Sequence, residues 1–454
     1  MVNALLSILS GALLSCAFEP VGKWWLAPLA IATHMYAISR TDHRKQSALL
    51  FALSFNLLTL HWTSTFVGST PWIILAVGLS IFYLPLALIG RWGIGAYPLI
   101  FIVLEEVRNH FPFSGFGWAR LAYSQADSSY SQIASRGGAI ALSAITILIG
   151  AFIFFVCNAK VRPLLLVPAL LLLVPNDIQF VGQTTAIMIQ GNVPELGLDF
   201  NSRAKEVFNL HVAETKKAIA LNDKIDFIVW PENSVDVDPF TNTDIFAQLQ
   251  AFEQPLIIGA IVEKGGKLLN TSILWGETTQ EMYVKQHLTP FGEYIPLRSI
   301  ASKISSLVDR VNDFSPGDQG RVFDIGAARI APIICFELID DQILYAGAKS
   351  SNLFVVQTNS ATFGTSPESA QQLSITRVRA IEHSRNVLSV STTGYSAVID
   401  YAGKVVQQTS MGTAEHLFAT VGLIDQISLR DRLGHWASVG TLIWLLLVAR
   451  RTRV

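Results

Sequence analysis

Residues 46–90 contain no Asp, Glu, Lys or Arg. A helix needs about 20 apolar residues to cross a hydrocarbon core about 30 Å thick, so this one run is long enough for two crossings with a turn at Ser69-Thr70-Pro71. Further apolar runs cover 2–18, 24–39, 92–107, 137–157, 161–175 and 434–449. The run at 161–175 is Leu-rich and interrupted by Pro163, Pro168 and Pro175. Together these segments predict a polytopic α-helical membrane bundle. Residues 1–18 carry no Lys or Arg to form the basic region of a cleaved signal, so the first run reads as a retained helix.

Charge is distributed to match. Residues 1–175 hold ten of the 33 Lys/Arg and five of the 34 Asp/Glu. The remainder has the charge density of an ordinary soluble domain. With a net charge of −1 there is no basic excess to neutralise phosphates, which excludes a nucleic-acid binder. Basic residues in short loops set orientation. A cytoplasmic N-terminus places Arg40, Arg44 and Lys45, Arg91, Lys160 and Arg162, and the Arg450–Arg453 tail inside. The expected division is a membrane domain at 1–175 with about seven transmembrane helices, an outer domain at 176–430, a C-terminal transmembrane helix at 434–449 and a cytoplasmic basic tail at 450–454. Between Arg108 and Arg136, Phe111, Phe113, Phe116, Trp118, Tyr123 and Tyr130 stand among small polar residues, a mixture suited to the headgroup region.

From 176 to 430 short β-like runs alternate with helical patterns. Strands are expected at 185–190, 226–230, 255–262, 271–275, 328–335, 353–358, 387–392 and 396–400, with a hairpin turn at Tyr401–Lys404, and helices at 202–221 and 368–386. This mixture predicts a layered α/β domain. Glu232 and Cys335 each follow an apolar strand-like run, and Lys285 stands between them in the chain. A thiol nucleophile, a carboxylate to take its proton and a fixed cation where an oxyanion would form make a coherent set. Of the three cysteines, Cys16 and Cys157 fall in predicted spans, which leaves Cys335 without a disulfide partner. From spacing alone, an inert buried thiol is equally compatible. His34 and His61 read as interior groups of spans, Glu105 and Glu106 as the end of one, and Arg377, Arg379 and Glu382, at helical spacing, as an ion-pair network. Without His-Glu-x-x-His, Cys-x-x-Cys or a Walker-type loop, neither metal nor nucleotide cofactor is expected.

Five motifs carry a resemblance: Gln190-Gly191-Asn192-Val193-Pro194, Trp230-Pro231-Glu232-Asn233-Ser234, the Lys285–Glu293 stretch ending Pro290-Phe291-Gly292-Glu293, Ile334-Cys335-Phe336-Glu337, and Arg377-Val378-Arg379-Ala380-Ile381-Glu382. They resemble the nitrilase, or carbon-nitrogen hydrolase, superfamily. Together with Ser114–Trp118 and Ala122–Gln125 they resemble its apolipoprotein N-acyltransferase family. The resemblance implies an αββα sandwich and a Glu232-Lys285-Cys335 catalytic triad. It also implies supporting roles for Glu293, Glu337 and the Phe336 N–H. The implied reaction takes an acyl chain from a phospholipid, through a thioester, to a diacylated apolipoprotein. The implied setting is the bacterial inner membrane, with the catalytic domain in the periplasm. Two other readings use the same residues: a membrane-anchored amidase with water as acceptor, and a catalytically impaired homologue that binds lipoproteins. The sequence departs from the family pattern at Asn359-Ser360-Ala361-Thr362-Phe363-Gly364, where Asn-Asp-Ala-Trp-Phe-Gly is usual. Other departures are Phe336, Leu198-Asp199-Phe200 and Thr392-Thr393-Gly394.

The topology has a direct check. A reporter fused after residue 300 is expected to be active only when exported; activity confined to the cytoplasm overturns the odd number of spans before it.

Overall fold

A computed structural model describes residues 1–159, 165, 170–175, 177–193, 205–222, 224–277, 280–303 and 312–451. The chain forms two compact units. One comprises Met1–Asp177, Ala370–Glu382 and Ser428–Val454, and the other Ile178–Ser369 and His383–Ile427.

The first unit is helical. Its helices include Val2–Ser15, Leu26–Ser39, Arg44–Thr59, Ser69–Ile81, Tyr97–His110, Ala134–Cys157 and His435–Arg451. The long uncharged run is divided near the expected turn, at Gly68, whose φ of 80° suits glycine. Among the described residues, two helical stretches, Ser69–Trp92 and Ser131–Cys157, are long and apolar enough to cross a membrane, and Val2–Ser15 and Leu26–Ser39 are shorter apolar helices. Most of the run at 161–175, with Lys160 and Arg162, lies outside the described residues, as do Leu198–Phe200 and the last three residues of the tail.

Several polar groups inside this unit are paired. His34 is buried, shares a 2.7 Å hydrogen bond with the Tyr97 hydroxyl and stacks on Phe51. Glu105 is buried too, and its Oε1 accepts the Leu121 N–H at 2.7 Å, while Arg120 reaches both Glu105 and Glu106. Glu105 and Glu106 therefore anchor the segment that follows the helix rather than simply ending it. In that segment only Phe111 and Phe113 match the expected exposed aromatics. Trp118, Tyr123 and Tyr130 are buried. Two of them bring their polar atoms to partners inside the unit: the Trp118 indole N–H donates to Gln371 Oε1 at 2.8 Å and the Tyr130 hydroxyl to Gln125 Oε1 at 2.7 Å.

Residues Ala370–Glu382 of the helix Glu368–His383 belong to this unit. Of the expected network Arg379 pairs with Glu382, while Arg377 pairs with Asp127. Glu382 also takes Arg430 and accepts the Ala139 N–H at 3.1 Å, beside the non-helical Gly138. Gln371, one turn into the helix, ties four groups. Its Oε1 accepts both the Trp62 and Trp118 indole N–H groups, and its amide donates to the Glu19 and Thr59 carbonyls, at 2.8–3.0 Å.

The second unit contains two six-stranded sheets. The strands are β1 (Gly182–Gln190), β2 (Phe227–Val229), β3 (Leu256–Lys264), β4 (Lys267–Trp275), β5 (Gln280–Val284), β6 (Phe323–Ile325), β7 (Ala328–Ile334), β8 (Leu353–Thr358), β9 (Val387–Ser391), β10 (Ala397–Ile399), β11 (Val405–Gln408) and β12 (Glu415–Leu423). Their orders are β12-β1-β2-β3-β4-β5 and β11-β10-β9-β8-β7-β6. The period-2 rule for strands explains the layering. Ala186, Met188, Phe227 and Val229 join Ile330, Ile334, Val355 and Leu388 in the core between the sheets. The intervening Ile187, Ile189 and Ile228 pack against Phe208, Val212, Ile245 and Leu249 of the outer helices Glu206–Ala220 and Thr243–Gln250. Strands β5, β6 and β12 and the helices Thr243–Gln250 and Asp341–Ser350 add to the expected elements. All three strands are sheet edges; β5 and β6 are short, whereas β12 alternates, with Leu417, Ala419, Val421 and Leu423 on the core face.

Replacing Gln371 by Ala is expected to lower stability, because each buried donor or acceptor left without a partner costs about 1–3 kcal/mol. Thermal unfolding of the detergent-solubilised protein measures it; an unchanged midpoint rules out a structural role for the four bonds.

Candidate active site

The second unit brings Glu232, Lys285 and Cys335 to one end of its two sheets. Glu232 follows β2 in the turn after Trp230-Pro231. This turn lies so close to β3 that a Cβ on Gly259 would stand 2.3 Å from the Pro231 carbonyl oxygen and 2.6 Å from Glu232 Cα. Only glycine leaves room there. Lys285 directly follows β5, and its N–H donates to the Asn270 carbonyl of β4 at 2.9 Å. Cys335 directly follows β7 with a φ of 50°, a left-handed conformation uncommon outside glycine and a mark of a constrained turn. The parallel β7/β8 register sets Ile334 beside Gln357, whose side chain donates across to the Trp230 carbonyl at 2.6 Å. That bond joins the Glu232 and Cys335 turns.

Lys285 is 1% exposed and its ammonium lies between two carboxylates, 3.2 Å from Glu232 Oε1 and 2.8 Å from Glu293 Oε2. Its third contact is the Thr289 hydroxyl at 3.4 Å. Asn270 bridges the same two carboxylates, donating to Glu232 Oε1 at 2.8 Å and to Glu293 Oε1. Glu293 also accepts the Thr289 N–H at 2.7 Å. Burial alone would lower the Lys285 pKa, but Glu232 and Glu293 outweigh it and hold the ammonium above its ordinary range. Burial likewise opposes ionisation of Glu293, yet Lys285 carries its carboxyl below the usual range. Both groups are thus charged at neutral pH.

Glu337 is fully buried and holds the neighbouring backbone. It accepts the Ile334 N–H at 2.8 Å, and the Gln286 N–H and Tyr283 hydroxyl at 2.7 Å each. It thereby connects the turn carrying Cys335 to the strand end carrying Lys285. Burial pushes its carboxyl up to about 7 against these donors. The Cys335 thiol is raised well above its ordinary value, first by burial and then by the Glu232 charge, with Lys285 working the other way. Phe336 is buried, its ring set edge-on to His287.

The Carbon-nitrogen hydrolase model matches residues 184–430, and the Apolipoprotein N-acyltransferase N-terminal domain model matches residues 10–152. The apolipoprotein N-acyltransferase of Mycolicibacterium smegmatis is 31% identical over 96% of this chain and 82% of its own. That of Geobacter metallireducens is 30% identical over 99% and 96%. The chain belongs to the apolipoprotein N-acyltransferase family. Among solved structures, Nit3 of Saccharomyces cerevisiae, a member of the nitrilase superfamily, aligns with 54% of this chain and 91% of its own at 17% identity and a TM-score of 0.40.

Within this member of the apolipoprotein N-acyltransferase family the Gln190-Gly191-Asn192 motif is architectural. Gln190 accepts from Ser396 and Thr409 and donates to the Ser410 and Thr413 carbonyls. Three groups near the site escape a reading of the sequence. Asn270 is an ordinary strand polar residue until the fold sets it across two carboxylates. Ser360, in the stretch that departs from the family pattern, accepts from the Ser391 hydroxyl at 3.3 Å, and Glu368 is a buried acid at the start of a helix. The only sequence signal for Glu368 was a helix-start pattern, Ser366-Pro367-Glu368, which explains an exposed acid equally well.

Lys285→Met leaves two buried carboxylates without their cation, and breaking a buried pair in this way costs about 3–5 kcal/mol. The carboxylates are then expected to take up protons on folding, so the loss is larger at pH 8 than at pH 5. Chemical denaturation at the two pH values measures it, and Lys285→Met/Glu293→Gln should recover part of the loss at pH 8. Equal losses at both pH values exclude the charge origin.

Proposed function

We propose that this N-acyltransferase moves an acyl chain from a phospholipid through a thioester on Cys335 to the N-terminal amine of a diacylglyceryl-cysteine lipoprotein. Glu232 is the general base, Lys285 the oxyanion partner and Cys335 the nucleophile. The observation that carries this reading is the buried Lys285 ammonium bonded to Glu232 and Glu293 at the strand ends where Cys335 stands in its left-handed turn. The relatives named apolipoprotein N-acyltransferase supply the substrate classes.

Because burial and the Glu232 charge hold the thiol well above its ordinary range, little thiolate forms in advance. The proton therefore leaves as the bond forms. In the first half-reaction Cys335 Sγ adds to the ester carbonyl while Glu232 takes the thiol proton, assistance typically worth ~10²–10⁴ in rate. Lys285 and the Phe336 N–H face the developing oxyanion, where losing one donor costs about 3–4 kcal/mol. Collapse breaks the ester C–O bond, and Glu232 returns the proton to the departing lysophospholipid oxygen. In the second half-reaction the amine adds to the thioester and its proton passes to Glu232. The C–S bond then breaks and the thiol is restored. The scheme is ping-pong.

Glu293 and Asn270 hold Lys285 and Glu232 in register, and Glu337 holds the strand ends together. The domain assignment follows the same reading, with a membrane domain at 1–175, a periplasmic catalytic domain at 176–430, and a final transmembrane helix with a basic tail. Physical chemistry favours such an arrangement. Lifting an acyl chain of about 14 methylenes into water at ~0.8 kcal/mol each costs on the order of 11 kcal/mol, whereas a catalytic domain held at the bilayer takes its donor from the lipid directly. A water-poor site also favours the amine over hydrolysis.

Purified protein incubated with phospholipid and a diacylated lipopeptide is expected to add one acyl chain to the peptide by mass, and to carry an acyl adduct on Cys335 when the peptide is withheld. Release of free acid alone supports water as acceptor and overturns transfer. Cys335→Ala is expected to abolish adduct and product; a Cys335→Ala protein that still acylates the peptide overturns the nucleophile assignment.

A further inference from the structure

The helical unit has a cavity of its own. It has a volume of about 380 Å³ and opens between the first turn of the helix Arg44–Thr59 and the turn that carries Arg91. Arg44 and Arg91 both line it, and no carboxylate does among the described residues. Neither arginine side chain makes an ion pair or a hydrogen bond among the described residues, and Asp42, two residues before Arg44, is exposed. Gly90 lets the two segments meet. A Cβ there would stand 2.7 Å from Arg44 Nη1, so the missing side chain is the space beside that guanidinium. Gly93 then turns the chain along the cavity with a φ of 83°, a conformation that suits glycine. We propose that this cavity binds the phosphate headgroup of an anionic phospholipid, with Arg44 and Arg91 as its two cations.

Two guanidinium groups at one cavity without a counter-charge repel each other. A phosphate removes that repulsion and accepts from both, since the planar fork of arginine matches its oxygens. The surroundings favour a lipid over a soluble anion. Trp92, beside Arg91, is 43% exposed. Tyr36, three residues before the lining Ser39, is 38% exposed, with the Arg40 guanidinium 4.7 Å over its ring. Exposed Trp and Tyr beside basic residues belong at headgroup level. Ile89 and Ile94 give the same cavity an apolar wall for the first carbons of the lipid. Basic pockets between helices at the cytoplasmic face suit anionic headgroups for these reasons. On the topology read from the charge distribution, the loops with Arg44 and Arg91 lie inside, so the lipid comes from the inner leaflet and is held there without being consumed.

Native mass spectrometry of the full-length, detergent-solubilised protein titrated with dioctanoyl-phosphatidylglycerol tests the site. Binding at the acyl-donor site is common to every variant and cancels in the comparison. Arg44→Gln/Arg91→Gln is expected to weaken binding about 10-fold or more, the loss that two basic residues near an anionic headgroup account for. Gly90→Ala keeps every charge but puts a methyl group against the Arg44 guanidinium, and is expected to weaken binding several-fold; it decides the question by itself where the double variant does not fold. Arg450→Gln/Arg451→Gln removes the same charge from the C-terminal helix end and is expected to leave binding unchanged. Undiminished binding in the first two variants, or an equal loss in the third, overturns the proposal. Displacement of the lipid by inorganic phosphate at equal concentration identifies a soluble-anion site and overturns the lipid assignment. The measurement needs no acyl transfer, so its failure leaves the transfer reading untouched.

Discussion

One ammonium buried between two carboxylates organises the catalytic unit. Removing Lys285, Glu232 and Glu293 from water costs several kcal/mol per ion, and the cost is offset only while Lys285 stays within 3.2 Å of both partners. The surrounding structure answers to that condition. β4 and β5 must pair so that Asn270 and Lys285 lie side by side, and Thr289 must turn back so that its N–H and hydroxyl meet Glu293 and Lys285. Gly259 must lack a side chain for the Glu232 turn to approach β3. Such a site is preorganised: its dipoles and charges are in place before any substrate arrives, and little reorganisation remains for the reaction itself.

The same rule operates in the helical unit without any catalytic demand. Gln371 satisfies two indoles and two carbonyls at once, and Glu382 takes Arg379, Arg430 and a backbone N–H at the break in the helix at Gly138. Where apolar residues are so abundant they specify burial but not which helix faces which. A buried polar group with few acceptable partners is more selective, since leaving it unpaired costs more than a misplaced methyl group. Segments that read as interfacial on composition, such as the one carrying Trp118 and Tyr130, are drawn inside because their N–H and O–H groups have partners there.

Much of the layout was legible along the chain. Most core strands of the two sheets announce themselves as β-branched runs, and Glu232 and Cys335 stand out because each adjoins such a run, with Lys285 between them in the chain. Glu293 and Glu337 came from the motif resemblance, and the geometry brings both to the strand ends. The short edge strands β5 and β6 were not legible, because they bury too little to impose a pattern, whereas β12 does alternate, with Leu417, Ala419, Val421 and Leu423 on the core face, and went unread. Asn270, Ser360, Glu368 and Gln371 were not legible for a different reason. Each is an ordinary polar residue whose importance depends on what lies opposite, in several cases on segments tens or hundreds of residues away.

The sequence by itself determined the kinds of material: apolar helical runs in front, alternating strands behind, and three reactive groups at strand ends, because periodicity and charge content are local properties that survive without a fold. The tertiary structure alone decided the pairings. It set one lysine against two carboxylates, placed an asparagine across both, buried the acid Glu368, and assigned most of one helix to the helical unit through Gln371 and Glu382. Those are questions of distance between residues remote in sequence. The energy that answers them, the cost of burying a charge or donor without its partner, exists only once the chain has closed around it.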